Sequence, residues 1–139
     1  MQRFTLPKST RLCSPTAVER LFDREASKGI VAYPLRAVWR DNSGRTKGES
    51  LQFMITIPKK KLRHAVDRVT MRRRVREAYR LARHDYEGML ADGERIDLAF
   101  IYLSDKLAPY HIIERSVHKI LARVCRTSND PISKNDSHE

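Results

Sequence analysis

Apolar residues along the chain recur with two different periods, and each change of period marks an element. Ala17, Val18, Leu21 and Phe22 recur at helical spacing. Ser14 is suited to cap a free amide, Pro15 has no amide to leave unpaired, and Gly29 is placed to end the segment, so the spacing predicts a helix over 15–27. From Tyr33 the period becomes two. Leu35, Ala37 and Trp39 alternate with Arg36, Val38 and Arg40, as a strand with one buried face requires, until Asp41-Asn42-Ser43-Gly44 stops the run. Leu51, Phe53, Ile55 and Ile57 then alternate with Gln52, Met54 and Thr56, a second strand closed by Pro58 and expected to pair with the first as an antiparallel hairpin. A segment over 65–84 holds neither glycine nor proline and is rich in arginine and alanine, which predicts a helix of about five turns. After a break at Asp92-Gly93, Ile96, Leu98, Phe100 and Tyr102 share one face of a third strand over 96–103. Ile113, Val117, Ile120, Leu121 and Val124 form the stripe of a last helix over 109–126, and the polar, aperiodic residues 127–139 are expected to be a disordered tail.

The order helix, two or more strands, basic helix, strand, helix is that of an α+β sandwich, with residues 1–126 as one domain. The length of 139 residues fits a single core, and 40% hydrophobic against 7% aromatic residues makes it a core of Leu, Ile and Val. Cys13 and Cys125 stand far apart without metal-ligand spacing and read as free thiols of a reducing cytosol. Neither a signal peptide nor an apolar run of roughly 18 residues is visible, so a soluble cytoplasmic protein is expected.

Charge changes the picture most. Between Lys59 and His84 stand 11 basic residues against Asp67 and Glu77, which places +9 of the chain's +11 in one segment. Charge so concentrated repels itself unless a polyanion neutralises it, and nucleic acid is the leading candidate. Projected at 100° per residue from Ala65, Met71, Val75, Ala78 and Ala82 fall between about 220° and 280°, an apolar seam that must pack on something. Arg72, Arg73, Arg76, Arg80 and Arg83 fall between about 340° and 80°. Arg68, Arg72, Arg76 and Arg80 repeat one sign at i to i+4, each repulsion costing a few tenths of a kcal/mol, where a merely solvated helix would alternate signs. Guanidinium groups grip phosphate in bidentate fashion, so the arrangement suits phosphates lying opposite. Anionic lipid is a poorer fit, because the seam is alanine-rich and has no large apolar wedge.

The segment resembles the bacterial ribonuclease P protein, in which a strand ends in a Lys-Lys pair and leads into a helix reading roughly A-V-x-R-N-R-x-x-R-R-x-R-E-A-[FY]-R. Here Lys59-Lys60 is followed by Ala65-Val66-Asp67-Arg68-Val69-Thr70-Met71-Arg72-Arg73-Arg74-Val75-Arg76-Glu77-Ala78-Tyr79-Arg80. Phe4-Thr5-Leu6-Pro7-Lys8 with Arg11-Leu12, Leu21-Phe22 and Asp97-Leu98-Ala99-Phe100 match further landmarks in order, so the resemblance covers about residues 3 to 125. Val69-Thr70 departs from the pattern's Asn-Arg, the connector before Ala65 is about one residue longer, and Val18 stands where the family often has an aromatic residue.

The resemblance implies a small mixed sheet packed with three helices, an αβββαβα sandwich with a left-handed βαβ crossover. It implies that Arg68, Arg72, Arg73, Arg76, Arg80 and Arg83 bind the catalytic RNA subunit. It also implies a cleft for the 5′ leader of precursor tRNA, where Phe22, Tyr33 and Trp39 are the candidate rings and Lys59, Lys60 and Lys61 the cations. Phe22 and Trp39 are equally readable as core residues. In such a complex, with one protein per RNA, the RNA subunit and Mg2+ carry out the cleavage.

The residues themselves offer no hydrolytic machinery. Asp67 and Glu77 project near 200° and 120°, too far apart to share a metal, and the five histidines have no Cys or Asp partner at ligand spacing. A nuclease acting alone is therefore disfavoured. A ribosomal or assembly protein that binds RNA without a role in cleavage remains the alternative.

Overall fold

The computed structural model describes residues 18–19, 21–22, 27–41, 51–86, 90 and 95–129. Strands β1 (Lys28–Ala32), β2 (Leu35–Asp41), β3 (Leu51–Thr56) and β4 (Ile96–Tyr102) form one sheet in the order β1-β2-β4-β3. Helix α1 (Ala65–Tyr86) follows β3, and α2 (Tyr110–Asn129) follows β4. Of the helix predicted over 15–27, Val18, Glu19, Leu21 and Phe22 make one helical turn, in which the Phe22 amide donates to the Val18 carbonyl at 3.3 Å. Ser27, the last residue of that segment, is not helical and its hydroxyl donates to the Leu21 carbonyl at 2.5 Å; the remaining residues of the segment lie outside the described ones, as does the predicted tail from residue 130. Helix α2 runs on through 127–129, three residues that had been read as tail.

The strand pairing corrects one expectation. Strands β2 and β3 do not form a hairpin, because β4 lies between them, antiparallel to β2 and parallel to β3. Ile96, Leu98, Phe100 and Tyr102 are buried on one face of β4 and Asp97 and Ala99 on the other, and a strand covered on both faces belongs at the sheet centre. Strand β3 reaches its parallel neighbour only through a long crossover, which α1 supplies. The true hairpin is β1–β2, closed by Ala32↔Leu35 around a cis Tyr33-Pro34 peptide. Strand β1 gives no period-two signal, because Ala32 alone of its five residues is buried.

Helices α1 and α2 cover one face of the sheet. The predicted seam of Met71, Val75, Ala78 and Ala82 is buried, as is the α2 stripe of Ile113, Val117, Ile120, Leu121 and Val124. Tyr79 widens the seam: its ring stacks on Phe53 at 4.1 Å between centroids and meets Phe100 edge-on at 5.8 Å. Leu21 packs on the opposite face with Val38 and Ala99, which explains why Val38 is buried on the side that alternation assigns to solvent.

The two helices lie side by side and run in the same direction. From the middle of α1, Arg74 Nη1 donates to the Ala108 carbonyl just before α2 at 2.5 Å; further along both, the Tyr86 hydroxyl meets His118 Nδ1 at 3.1 Å. The turn before α2 is latched by Tyr102, whose hydroxyl donates to the Lys106 carbonyl and accepts the Ala108 amide at 3.1 Å. Burial raises the Tyr102 phenol above its ordinary value of 10.0, outweighing the hydrogen bonds to Ser104 and Ala108 that lower it. A phenol raised by folding supports the fold at neutral pH and loses that contribution as pH climbs past the unfolded value. Stability to urea is therefore expected to decline above about pH 10, and less steeply in Tyr102→Phe, which is also less stable at pH 7 for want of the latch.

Candidate nucleic-acid interface

The interface is built from the end of β3 and the length of α1. Beyond Thr56 the chain turns at Pro58, whose carbonyl accepts the amides of Lys61 at 3.1 Å and Leu62 at 3.2 Å. Leu62 is buried and pins this turn, leaving Lys59, Lys60, Lys61 and Arg63 exposed. Arg68 folds back over it, its Nη1 donating to the Leu62 carbonyl at 2.8 Å and the Arg63 carbonyl at 2.9 Å. Arg68 thus joins the lysine turn to the helix, and part of its hydrogen-bonding capacity is already used.

Along α1 the arginines divide by environment. Arg72, Arg73 and Arg76 are exposed and have no hydrogen-bond or ion-pair partner among the described residues. Arg80 is engaged by Glu77 through two bonds, Nε to Oε1 at 2.9 Å and Nη2 to Oε2 at 2.5 Å. These bonds hold the Glu77 carboxyl below its ordinary value, and the pair cancels the charge of this stretch of the arc. Arg83 departs from the expected arc: only 7% of its surface is exposed, because the buried side of α1 broadens past Tyr79 toward the helix end. Arg74, next to solvent-facing Arg73, turns inward to the Ala108 carbonyl.

Neighbouring arginines therefore do different work. Arg74→Ala is expected to lower unfolding stability by about 1–2 kcal/mol, since a charge-assisted bond to a nearly buried carbonyl is lost. Arg73→Ala is expected to leave stability unchanged within about 0.5 kcal/mol. Urea denaturation of the two variants side by side checks the distinction.

The first turn of α1 is apolar outside. Val66 is 71% and Val69 43% exposed, and Thr70 Oγ1 donates to the Val66 carbonyl at 3.0 Å, so its hydroxyl proton is occupied within the helix. The departure at Val69-Thr70 is real in three dimensions, and the unpaired cations stand one turn later.

The three candidate rings do not come together. Trp39 is 4% exposed and lies in the core beneath the helices, on the face opposite Leu21, so it is a packing residue and no part of a cleft beside the first helix. Its position in β2 explains this: it shares a face with Leu35 and Ala37, the side that α1 and α2 cover. Phe22 and Tyr33 are 44% and 67% exposed. Tyr33 stands in the β1–β2 turn, tied down where its carbonyl accepts Ser116 Oγ at 3.1 Å. The Leu103 amide donates to Pro34, which places this turn at the same end of the sheet as the exit from β3 and its lysines.

Sequence reasoning passed over Arg36. It is exposed, and the register Val31↔Arg36↔Ile101↔Thr56 sets it on the face where Leu21 packs, away from α1. The available signal was the alternation in β2: a cation facing away from the helices. Among the described residues no group of three or more His, Cys, Asp or Glu side chains is placed to hold a metal ion, and no helix is long and apolar enough to cross a membrane. Cys125 is buried and in no disulfide among the described residues, and Cys13 lies outside them.

A bundle of basic groups on a helix anchored in a mixed sheet is what the comparison with known proteins meets. The family model described as Ribonuclease P matches residues 6–125. The chain belongs to this family. Within it, the Ribonuclease P protein component of Porphyromonas gingivalis is 34% identical over 134 residues, 96% of each chain. The solved Staphylococcus aureus RNase P protein superposes with a TM-score of 0.64 at 17% identity, covering 84% of this chain and 96% of that one. A mutant of that protein, defective in mRNA degradation activity, gives a TM-score of 0.57 at 15% identity, covering 88% and 90%. At such identities the structural likeness speaks for the fold alone, which in this chain is the β1-β2-β4-β3 sheet with α1 as the crossover.

Proposed function

We propose that the chain acts as the protein subunit of ribonuclease P, binding the catalytic RNA with α1 and helping to remove the 5′ leader from precursor tRNA in the cytoplasm. One observation carries the reading: Arg72, Arg73 and Arg76 stand exposed and unpaired on a helix whose opposite face is locked into the core. Membership of the Ribonuclease P family supports it over a general ribosomal or assembly role. Holding three cations rigidly costs repulsion in the free protein and gives phosphate oxygens a prearranged surface, so little ordering remains to be done on binding.

In this reading the leader runs across the sheet face opposite α1. Phe22 offers a ring for stacking, Arg36 offers a cation, and Tyr33 with Lys59, Lys60 and Lys61 lies at the sheet end where the strand would leave. The chain supplies position and charge, and the cleavage chemistry belongs to the RNA subunit. Magnesium, when bound, would supply charge neutralisation among phosphates, and this reading assigns its ligands mainly to the RNA subunit and the substrate phosphates. One protein per RNA suffices for this arrangement.

The test adds the purified protein to ribonuclease P RNA at low magnesium and follows 5′ maturation of precursor tRNA. Faster maturation than with RNA alone is expected. Binding to the RNA without any gain in maturation would favour the assembly role instead.

A further inference from the structure

Helix α2 carries a second line of basic residues that the family motif leaves out. His111, Arg115 and Lys119 follow one another at i to i+4 spacing, and all three are exposed. None has an ion-pair or hydrogen-bond partner among the described residues. Neither Arg115 nor Lys119 has an acidic residue three or four positions away on either side. A helix face that merely meets water gains from alternating signs at this spacing, whereas Arg115 and Lys119 repeat the same sign, as the arc on α1 does.

The acid nearest in sequence, Glu114, stands three positions from His111, and its charge also reaches the seam between the helices. It lies beside Tyr110 at the seam between the helices, where its charge and that of Glu77 both act on the Tyr110 phenol and Arg80 opposes them. The outer surface of the helix layer is therefore divided: Arg72, Arg73 and Arg76 on α1, then a seam holding Glu77, Arg80, Tyr110 and Glu114, then Arg115 and Lys119 on α2. The two basic lines flank this seam, Arg72 and Arg76 lying on the side of α1 away from Arg74, which reaches toward α2. With Arg80 cancelled by Glu77, the Glu114 carboxylate leaves the seam unfavourable to a phosphate placed between the lines, and each line is left to take its own stretch of backbone.

We infer that the exposed face of α2 along His111, Arg115 and Lys119 is a second binding surface for ribonuclease P RNA, taking a backbone segment separate from the one held by α1. The inference rests on the proposed function for the identity of the RNA. A folded RNA suits the surface because it can offer two backbone segments side by side. A single-stranded leader offers one, and its proposed path lies on the far side of the sheet.

The experiment measures binding of the intact protein to ribonuclease P RNA, without precursor tRNA, over a range of salt. Arg115→Ala with Lys119→Ala is expected to flatten the plot of log K against log salt by about 1.4 to 1.8, for two phosphate contacts at ~0.7–0.9 each. Arg72→Ala with Arg76→Ala is expected to flatten it by a similar amount, and the quadruple variant by the sum. Hydroxyl-radical footprints should lose a different protected patch in each double variant. Arg115→Glu with Lys119→Glu should weaken binding further while circular dichroism stays that of the parent. A slope unchanged in the α2 variants while the α1 variants lose theirs would overturn the inference and leave the proposed function standing. So would an α2 effect seen only once precursor tRNA is added, or one shared footprint patch. If neither double variant changes the slope, the proposed function itself falls.

Discussion

Tyr79→Ala is expected to lower the unfolding free energy by about 3–5 kcal/mol, measured by urea denaturation of the free protein. The ring is fully buried, stacked on Phe53 of β3 and edge-on to Phe100 of β4, so it ties the crossover helix to both strands of the parallel pair. Its removal forfeits the transfer energy of a large ring and leaves a cavity where helix and sheet meet. Against a typical total of 5–15 kcal/mol, such a loss leaves a substantial unfolded population in a marginal domain. Tyr79→Phe keeps both ring contacts and is expected to cost about 1 kcal/mol, for the hydroxyl alone. The comparison must be made without RNA, because a ligand that binds only the folded state masks the difference. A loss below about 1 kcal/mol in Tyr79→Ala would mean that α1 is not anchored through this ring.

Replacing Arg72, Arg73 and Arg76 together by alanine should have the converse profile. Stability is expected to hold or rise slightly, because the three groups have no partners to lose and their mutual repulsion disappears. Affinity for ribonuclease P RNA near 0.1 M salt is expected to fall roughly a hundredfold or more, from three phosphate contacts each contributing close to a decade. Alanine also has high helix propensity, so α1 is not weakened by the exchange. A fluorescence or filter-binding titration of folded variant against parent reads this directly. Glu77→Gln is a useful companion, since it releases Arg80 from its carboxylate and adds a cation to the same face.

Much of this was legible before any coordinates. The seam of α1 and the stripe of α2 follow from spacing alone, because a helix packed on one side repeats its apolar residues every three or four positions. The hairpin assigned to β2 and β3 failed for a reason of connectivity. Two alternating strands joined by a polar loop look adjacent, and the pattern within each carries no information about a third strand inserted between them. The clue lay in β4, where Ala99 and Ile101 interrupt the alternation and leave Asp97 as the one polar residue on the second face, the mark of a central strand. Strand β1 was invisible because an edge strand buries little.

At the site, composition located the cationic helix, but it could not separate arginines that differ only in where the chain turns them. Arg74 reaches a carbonyl 34 positions away, Arg83 is enclosed by the broadened core, and Arg80 is matched with Glu77. Long flexible side chains take their roles from tertiary neighbours, which a helical projection does not contain. Trp39 illustrates a related limit: alternation places it on the buried face of its strand, and the packing of the helices on that face decides for the core over the cleft.

The central claim is that the unpaired arginines of α1 are where this protein meets ribonuclease P RNA. The salt dependence of binding tests it most directly, since the slope counts the phosphates engaged. The triple variant at Arg72, Arg73 and Arg76 should bind with a slope shallower than the parent by about 2.1 to 2.7. A triple variant that is folded and binds with the parent's slope would contradict the claim, because those guanidinium groups would then be facing water in the complex.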